Sequence, residues 1–254
     1  MIRRGMRLRA MLSFSKRNEE IGPPLDLLGA WYRADDAGTS NGQSVSSWPD
    51  RTGNGNDLSL SQGTIAGVWR LSPTGFGGKP AVEFAGTTQL EKNLPPSFQP
   101  GSHATTTYTV FQYDFASPPV SIWGFGSAPV GTQLQLIHQM YGNPRAAVFM
   151  SVNNEFVTYD GTDGMPKIMS FSVPTGAAFS AADVRFDGQV ANPLYTLGSF
   201  NIPAPVQKVF VGGYDTPNFT GYIAEILYYS KQHNADERAA TLAYLSARYG
   251  ISVA

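Results

Sequence analysis

Cysteine is absent from this 254-residue chain, and histidine occurs only three times, at His103, His138 and His233. The first absence excludes disulfides and thiolate chemistry, and the second leaves little imidazole for acid–base work. Charged residues make up only 15% of the chain. No apolar run approaches the 18 or more residues of a membrane-spanning helix. A secretory signal needs an apolar core of about 7–15 residues behind its charges. The best run here, Ala10-Met11-Leu12-Ser13-Phe14, is too short. The expectation is a soluble protein or assembly component without a secretory signal, carried in a virion or otherwise cytoplasmic. Without disulfides the fold must rely on its core, and the chain is long enough to bury one.

Gly (27), Pro (18) and a 12% aromatic content are what the chain does have. That mixture suits many short strands joined by turns and is too apolar for disorder. Charge is unevenly spread. Residues 1–18 hold Arg3, Arg4, Arg7, Arg9, Lys16 and Arg17 and no acid, which leaves 12 basic against 19 acidic residues in the remainder. A basic arm on an acidic body marks a segment that docks on something negative. Gly22-Pro23-Pro24 closes the arm as a stiff, extended spacer. Residues 1–24 therefore read as arm and spacer, and residues 25–254 as one domain.

The body reads as strands. Lys79–Phe84, Thr105–Tyr113, Val120–Phe125, Gln133–Gln139, Ala146–Val152, Glu155–Tyr159, Lys167–Val173, Asp183–Phe186, Leu194–Leu197, Val206–Val211 and Thr220–Tyr229 are short and rich in β-branched and aromatic residues. Asn153-Asn154 and Asp187-Gly188 have the composition of hairpin turns. About ten strands at this spacing favour a sandwich over βαβ units. One helix stands out near the end. Asn234 can cap it, and Glu237 can reach back in a capping box. Leu242, Leu245 and Tyr249 share a face, and Gly250 stops it.

Two segments carry more than pattern: Leu28-Gly29-Ala30-Trp31-Tyr32-Arg33-Ala34-Asp35, leading to Trp48-Pro49-Asp50-Arg51-Thr52-Gly53-Asn54-Gly55-Asn56-Asp57, and Phe219-Thr220-Gly221-Tyr222-Ile223-Ala224-Glu225-Ile226-Leu227-Tyr228-Tyr229. Together they resemble the concanavalin A-like lectin/glucanase superfamily, in its laminin-G- and pentraxin-like jelly-roll branch. The resemblance implies an all-β, antiparallel two-sheet jelly-roll sandwich with one short C-terminal helix. It also implies a domain that binds sugars or proteins and sometimes cleaves polysaccharides.

The acids that mark the enzymes of that superfamily are not in place. The Glu-x-Asp-x-x-Glu strand of laminarinase-type glycosidases, which sets a nucleophile beside a general acid, is absent. Of the lyase pattern only Gln135-Leu136-Ile137-His138 offers a partial match. His138 reads as a half-buried sheet residue. Glu225, taken to share a face with Ile223 and Leu227, reads as paired with an arginine or a backbone amide rather than as a general acid. No catalytic residue, and no enzyme, is expected. Calcium is the one cofactor considered, at Asp160 and Asp163, with Asp35-Asp36 and the Asp50–Asp57 loop behind them, since the ion wants six to eight oxygens. Trp69, Trp123, Tyr141, Asn143, Arg145, Tyr214, Asp215 and Asn218 lie in or beside turns and form the expected sugar-binding rim. Trp31 and Trp48 read as core.

The sequence alone therefore suggests a non-enzymatic, lectin-like binding or attachment module. Its arm would dock into a larger assembly such as a phage-type virion decoration, spike or tail. Carbohydrate and protein subunits are the expected partners, nucleic acid is not, and a homo-oligomer is the expected state. The alternatives are an architectural cementing subunit without a sugar site and a polysaccharide hydrolase or lyase.

Overall fold

The structure is a computed structural model, and it describes residues 22–93, 104–113, 120–126, 133–138, 146–150, 156–159, 164–174, 181–197, 208–214, 216–217 and 219–254. Two nine-stranded sheets and a two-stranded pair account for its strands. The first sheet runs, edge to edge, Gln189–Val190, Asp183–Phe186, Lys167–Val173, Thr105–Tyr113, Thr220–Tyr229, Ala81–Ala85, Gly67–Arg70 and Ser44–Val45, with Leu28–Arg33 also paired to Thr220–Tyr229. The second runs Pro193–Leu197, Phe156–Tyr159, Ala146–Met150, Gln133–His138, Val120–Gly126, Lys208–Val211, Leu90–Asn93, Leu58–Leu60 and Ser47–Trp48. The pairings are antiparallel.

Alternation decides what the sheets bury. Tyr32, Val82, Phe84, Phe111, Met169, Ile226 and Tyr228 of the first sheet meet Trp48, Leu58, Leu90, Ile122, Trp123 and Val211 of the second in one core. The outer face of the first sheet carries a second core. Leu28, Trp31, Val110, Leu227 and Tyr229 pack there under Leu242, Tyr244, Leu245 and Tyr249 of the helix Ala235–Tyr249. The all-β sandwich with one C-terminal helix is thus observed.

The helix ends are built as their residues dictate. Asn234 accepts from the Glu237 amide at 2.9 Å, and Glu237 accepts from the Asn234 amide at 3.0 Å. Gly250 turns left-handed at φ 66° and donates to the Ser246 carbonyl. Asp187 and Gly188, both at positive φ, make the expected hairpin turn. Asn153-Asn154 lies outside the described residues.

Three expectations need correction. Among the described residues the strands number twenty rather than about ten, the surplus being the six-residue Leu28–Arg33 and pieces of two to four residues such as Ser44–Val45, Ser47–Trp48 and Leu58–Leu60. A four-residue helix, Ala34–Ala37, follows the first strand. Lastly, the register of Thr220–Tyr229 slips between Ile223 and Glu225. That bulge turns Ile223 into the inter-sheet core and Leu227 toward the helix, so the two do not share a face.

Candidate functional site

The expected rim does not assemble as foreseen. Trp69 is buried and spends its indole N–H on the Ala34 carbonyl at 2.6 Å. Trp123 is buried and donates to Thr109 Oγ1 at 2.6 Å. Both belong to the inter-sheet core and offer no ring to a ligand: alternation turns Trp69 inward, and at Trp123 a register shift in Val120–Gly126 lets Ile122 and Trp123 enter the same core. Trp31 and Trp48 are core, as expected. Tyr214 lies in the two-residue strand Gly213–Tyr214, paired with Thr216–Pro217. His138 is backbone-paired to Ala146 and Val120. Tyr141, Asn143, Arg145, Asp215, Asn218, the calcium candidates Asp160 and Asp163, and the arm residues Arg3, Arg4, Arg7, Arg9, Lys16 and Arg17 lie outside the described residues.

The other acids considered for calcium are already occupied. Asp50 accepts from the amides of Trp31 and Thr52 and from the Thr52 hydroxyl, and Asp57 accepts from the Asp50 amide at 2.7 Å. Asp36 pairs with Arg51 at 2.8 Å, and Asp35 pairs with Arg248. Among the described residues no cluster of three or more acidic or imidazole groups could hold a metal.

Glu225 is fully enclosed between sheet and helix. It accepts from Trp31 Nε1 at 2.5 Å, Tyr244 OH at 2.8 Å and Tyr249 OH at 2.7 Å, with Arg248 Nε 3.6 Å away. Burial pushes its carboxyl up to about 7, while the donors from Tyr249, Tyr244 and Trp31 pull it back toward ionisation. An arginine is its neighbour, as foreseen, but the hydrogen bonds come from aromatic rings rather than a backbone amide. A group at 1% exposure cannot reach a substrate. It ties the helix to the sheet.

Chemistry that can reach solvent collects where the helix stops covering the first sheet. The register aligns Val68, Glu83, Tyr222 and Gln112 across four adjacent strands. All four are partly exposed and share the outer face. Arg70, two residues along from Val68, joins them: its Nε and Nη2 lie 2.6 Å and 2.5 Å from Glu83 Oε2. Tyr222 OH points at Glu83 Oε1 from 3.4 Å, and its ring packs edge-on against Phe76 at 6.3 Å.

Beside this row opens a depression of about 320 Å³ lined by Asn41, Arg70, Leu71, Ser72, Pro73 and Tyr222. Its rim is held by backbone pairing of residues 42 and 43 with Trp69 and by Asn41 Oδ1, which accepts from the Leu71 amide at 3.2 Å. An amide, a hydroxyl, a guanidinium–carboxylate pair, a phenol ring and an exposed leucine are the groups a sugar ring uses: hydroxyls to the polar atoms, C–H face to the apolar ones. Glycoside cleavage takes two carboxylates. Glu83 does not line the depression itself but contacts two side chains that do, Arg70 and Tyr222. Alternation in Ala81–Ala85 could have put Glu83 outside, but its meeting with Arg70 and Tyr222 depends on a three-strand register that no local pattern shows.

No family model matches the chain, and no curated protein does. Solved structures do. An arabinofuranosidase complexed with arabinofuranosyl-α-1,2-xylobiose superposes with TM-score 0.62 at 14% identity, over 88% of this chain and 60% of that one. Domain 4 of AbnA, a GH43 extracellular arabinanase from Geobacillus stearothermophilus, in complex with arabinotriose, gives 0.55 at 18%, over 87% of this chain and 98% of that one. Trypanosoma rangeli sialidase gives 0.52 at 14%, over 87% and 33%. The chain thus spans less than two thirds of the arabinofuranosidase and of the sialidase. At these identities the likeness shows a shared sandwich fold.

These neighbours correct the functional expectation. A non-enzymatic attachment module is the reading that the missing Glu-x-Asp-x-x-Glu strand suggests, yet the solved structures that share this fold include an arabinofuranosidase, a domain of an arabinanase and a sialidase, the first and last matched over part of their length. Absence of one carboxylate motif excludes one glycosidase geometry, not glycosidases.

Proposed function

We propose that this chain is a polysaccharide hydrolase that acts on arabinose-containing glycans and holds them against the open outer face of the first sheet. The observation that carries the reading is the fold shared, over 87–88% of the chain, with an arabinofuranosidase and an arabinanase domain, each solved with an arabinose-containing oligosaccharide. Within the sandwich folds, the Leu28–Asp35 and Phe219–Tyr229 segments support the concanavalin A-like superfamily and its laminin-G- and pentraxin-like branch. Glu83 is the described carboxylate best placed to meet a glycan, since it is partly exposed and contacts Arg70 and Tyr222, two of the side chains that line the ligand-sized depression.

Reducing-sugar release from arabinan, arabinoxylan, xylan, polygalacturonate and sialyl-oligosaccharides tests the reading. Turnover of the arabinose-containing substrates is expected, with loss of at least about a hundredfold in Glu83→Gln if that carboxylate touches the reacting centre. No turnover across the panel would overturn the hydrolase. Unsaturated uronate products would replace it with the lyase.

A further inference from the structure

We infer that the Arg70–Glu83 ion pair makes the depression on the outer face of the first sheet selective for neutral over anionic sugars. The inference rests on the sugar reading above and adds which sugars. Among the described residues, Arg70 is the one charged side chain lining the depression. Both nitrogens that contact Glu83 converge on the single oxygen Oε2, at 2.6 Å and 2.5 Å. The guanidinium is thus neutralised where a uronate or sialate carboxylate would need it. An anionic sugar entering here would have to break a charge-assisted pair and meet Glu83 as a like charge. A neutral sugar needs neither. Its hydroxyls can donate to the remaining lone pairs of Glu83 and accept from the outward N–H groups of Arg70.

The rest of the lining fits the same ligand. Leu71, 55% exposed, and Pro73 give an apolar wall, and Tyr222 adds a ring anchored from behind by Phe76. Asn41 and Ser72 supply short polar groups at the rim. At about 320 Å³ the depression is at the small end of ligand sites, which suits a mono- or short oligosaccharide. The solved neighbours include both an arabinoside complex and a sialidase. The ion pair favours the first kind of ligand.

Calorimetric titration with arabinotriose and with trigalacturonate tests this on the full chain and on two near-isosteric variants. Wild type is expected to bind arabinotriose and to bind trigalacturonate at least tenfold more weakly. In Glu83→Gln the released guanidinium should strengthen trigalacturonate about tenfold, the worth of one hydrogen bond to a charged group, and raised salt should remove the gain. Arg70→Gln should move trigalacturonate the other way. Equal wild-type affinity for the two sugars, or variants that shift trigalacturonate in the same direction, would overturn the inference. Arabinan cleavage with both affinities unaffected by either variant would leave the hydrolase standing and take the depression away from it. A preference that responds as expected without turnover on any glycan would keep the selectivity and remove the hydrolase.

Discussion

At Glu225 a carboxyl group is taken wholly out of water and met by three ring donors, while at His233, also buried, desolvation disfavours the charged imidazole. The two make opposite demands on pH. Burial raises Glu225 to about 7 from 4.5, so the folded chain holds that proton more tightly than the unfolded one. Its contribution is full below about pH 4.5 and is lost as pH rises through 7. Burial lowers His233 to about 4 from 6.5, against Tyr108 and Tyr229 rings and with Glu237, Lys231, Arg238 and Asp26 around it. Its contribution is full above about pH 6.5 and is lost as pH falls through 4. Between about pH 4.5 and 6.5 the two slopes oppose each other and the wild type should be nearly flat. Thermal midpoints across that window are expected to rise with pH in Glu225→Gln, where only the histidine titrates. They should fall with pH in His233→Gln. A Glu225→Gln profile parallel to wild type would mean that this carboxyl is ionised throughout.

The C-terminal helix was legible almost atom by atom. Asn234, Glu237, the Leu242/Leu245/Tyr249 face and Gly250 are local signals that obey helix geometry wherever the helix packs. Asn234→Ala should cost about 1 kcal/mol, seen as a drop of about 2–4 °C in melting temperature. An unchanged midpoint would show that the cap is redundant with the tertiary contacts. The long strands Thr105–Tyr113, Lys167–Val173 and Thr220–Tyr229 were equally plain, because seven to ten residues suffice to show β-branched and aromatic runs. Two-residue strands such as Ser47–Trp48 have no period to read, and only pairing makes them strands. The expected rim fails for a related reason. The turn residues beside Trp69 suggest an exposed ring, although alternation in Gly67–Arg70 puts Val68 and Arg70 on one face and Trp69 on the other. Arg70, Glu83 and Tyr222 are brought together by registers between residues up to 139 apart in sequence, and nothing local records that.

Across the whole molecule, two cores share one strand. Ile223, Ile226 and Tyr228 of Thr220–Tyr229 feed the inter-sheet core, while Ala224, Leu227 and Tyr229 feed the core beneath the helix. Leu28–Arg33 does the same with Ala30 and Tyr32 inward and Leu28 and Trp31 outward. The helix is therefore no appendage to a finished sandwich. Ending the chain after Ser230 would strip the outer face from Leu28, Trp31, Leu227 and Tyr229, and would remove Tyr244, Tyr249 and Arg248 from Glu225. The loss combines the donors of Glu225 with the apolar burial of four large side chains at about 1.5–3 kcal/mol each, against a total stability of about 5–15 kcal/mol. The shared strand passes that loss to the inter-sheet core, so the shortened chain should lack a cooperative urea transition while the full chain shows one. A shortened chain that unfolded cooperatively at the full-length midpoint would show the two cores to be independent, and would return the Glu225 network to a local role in seating the helix.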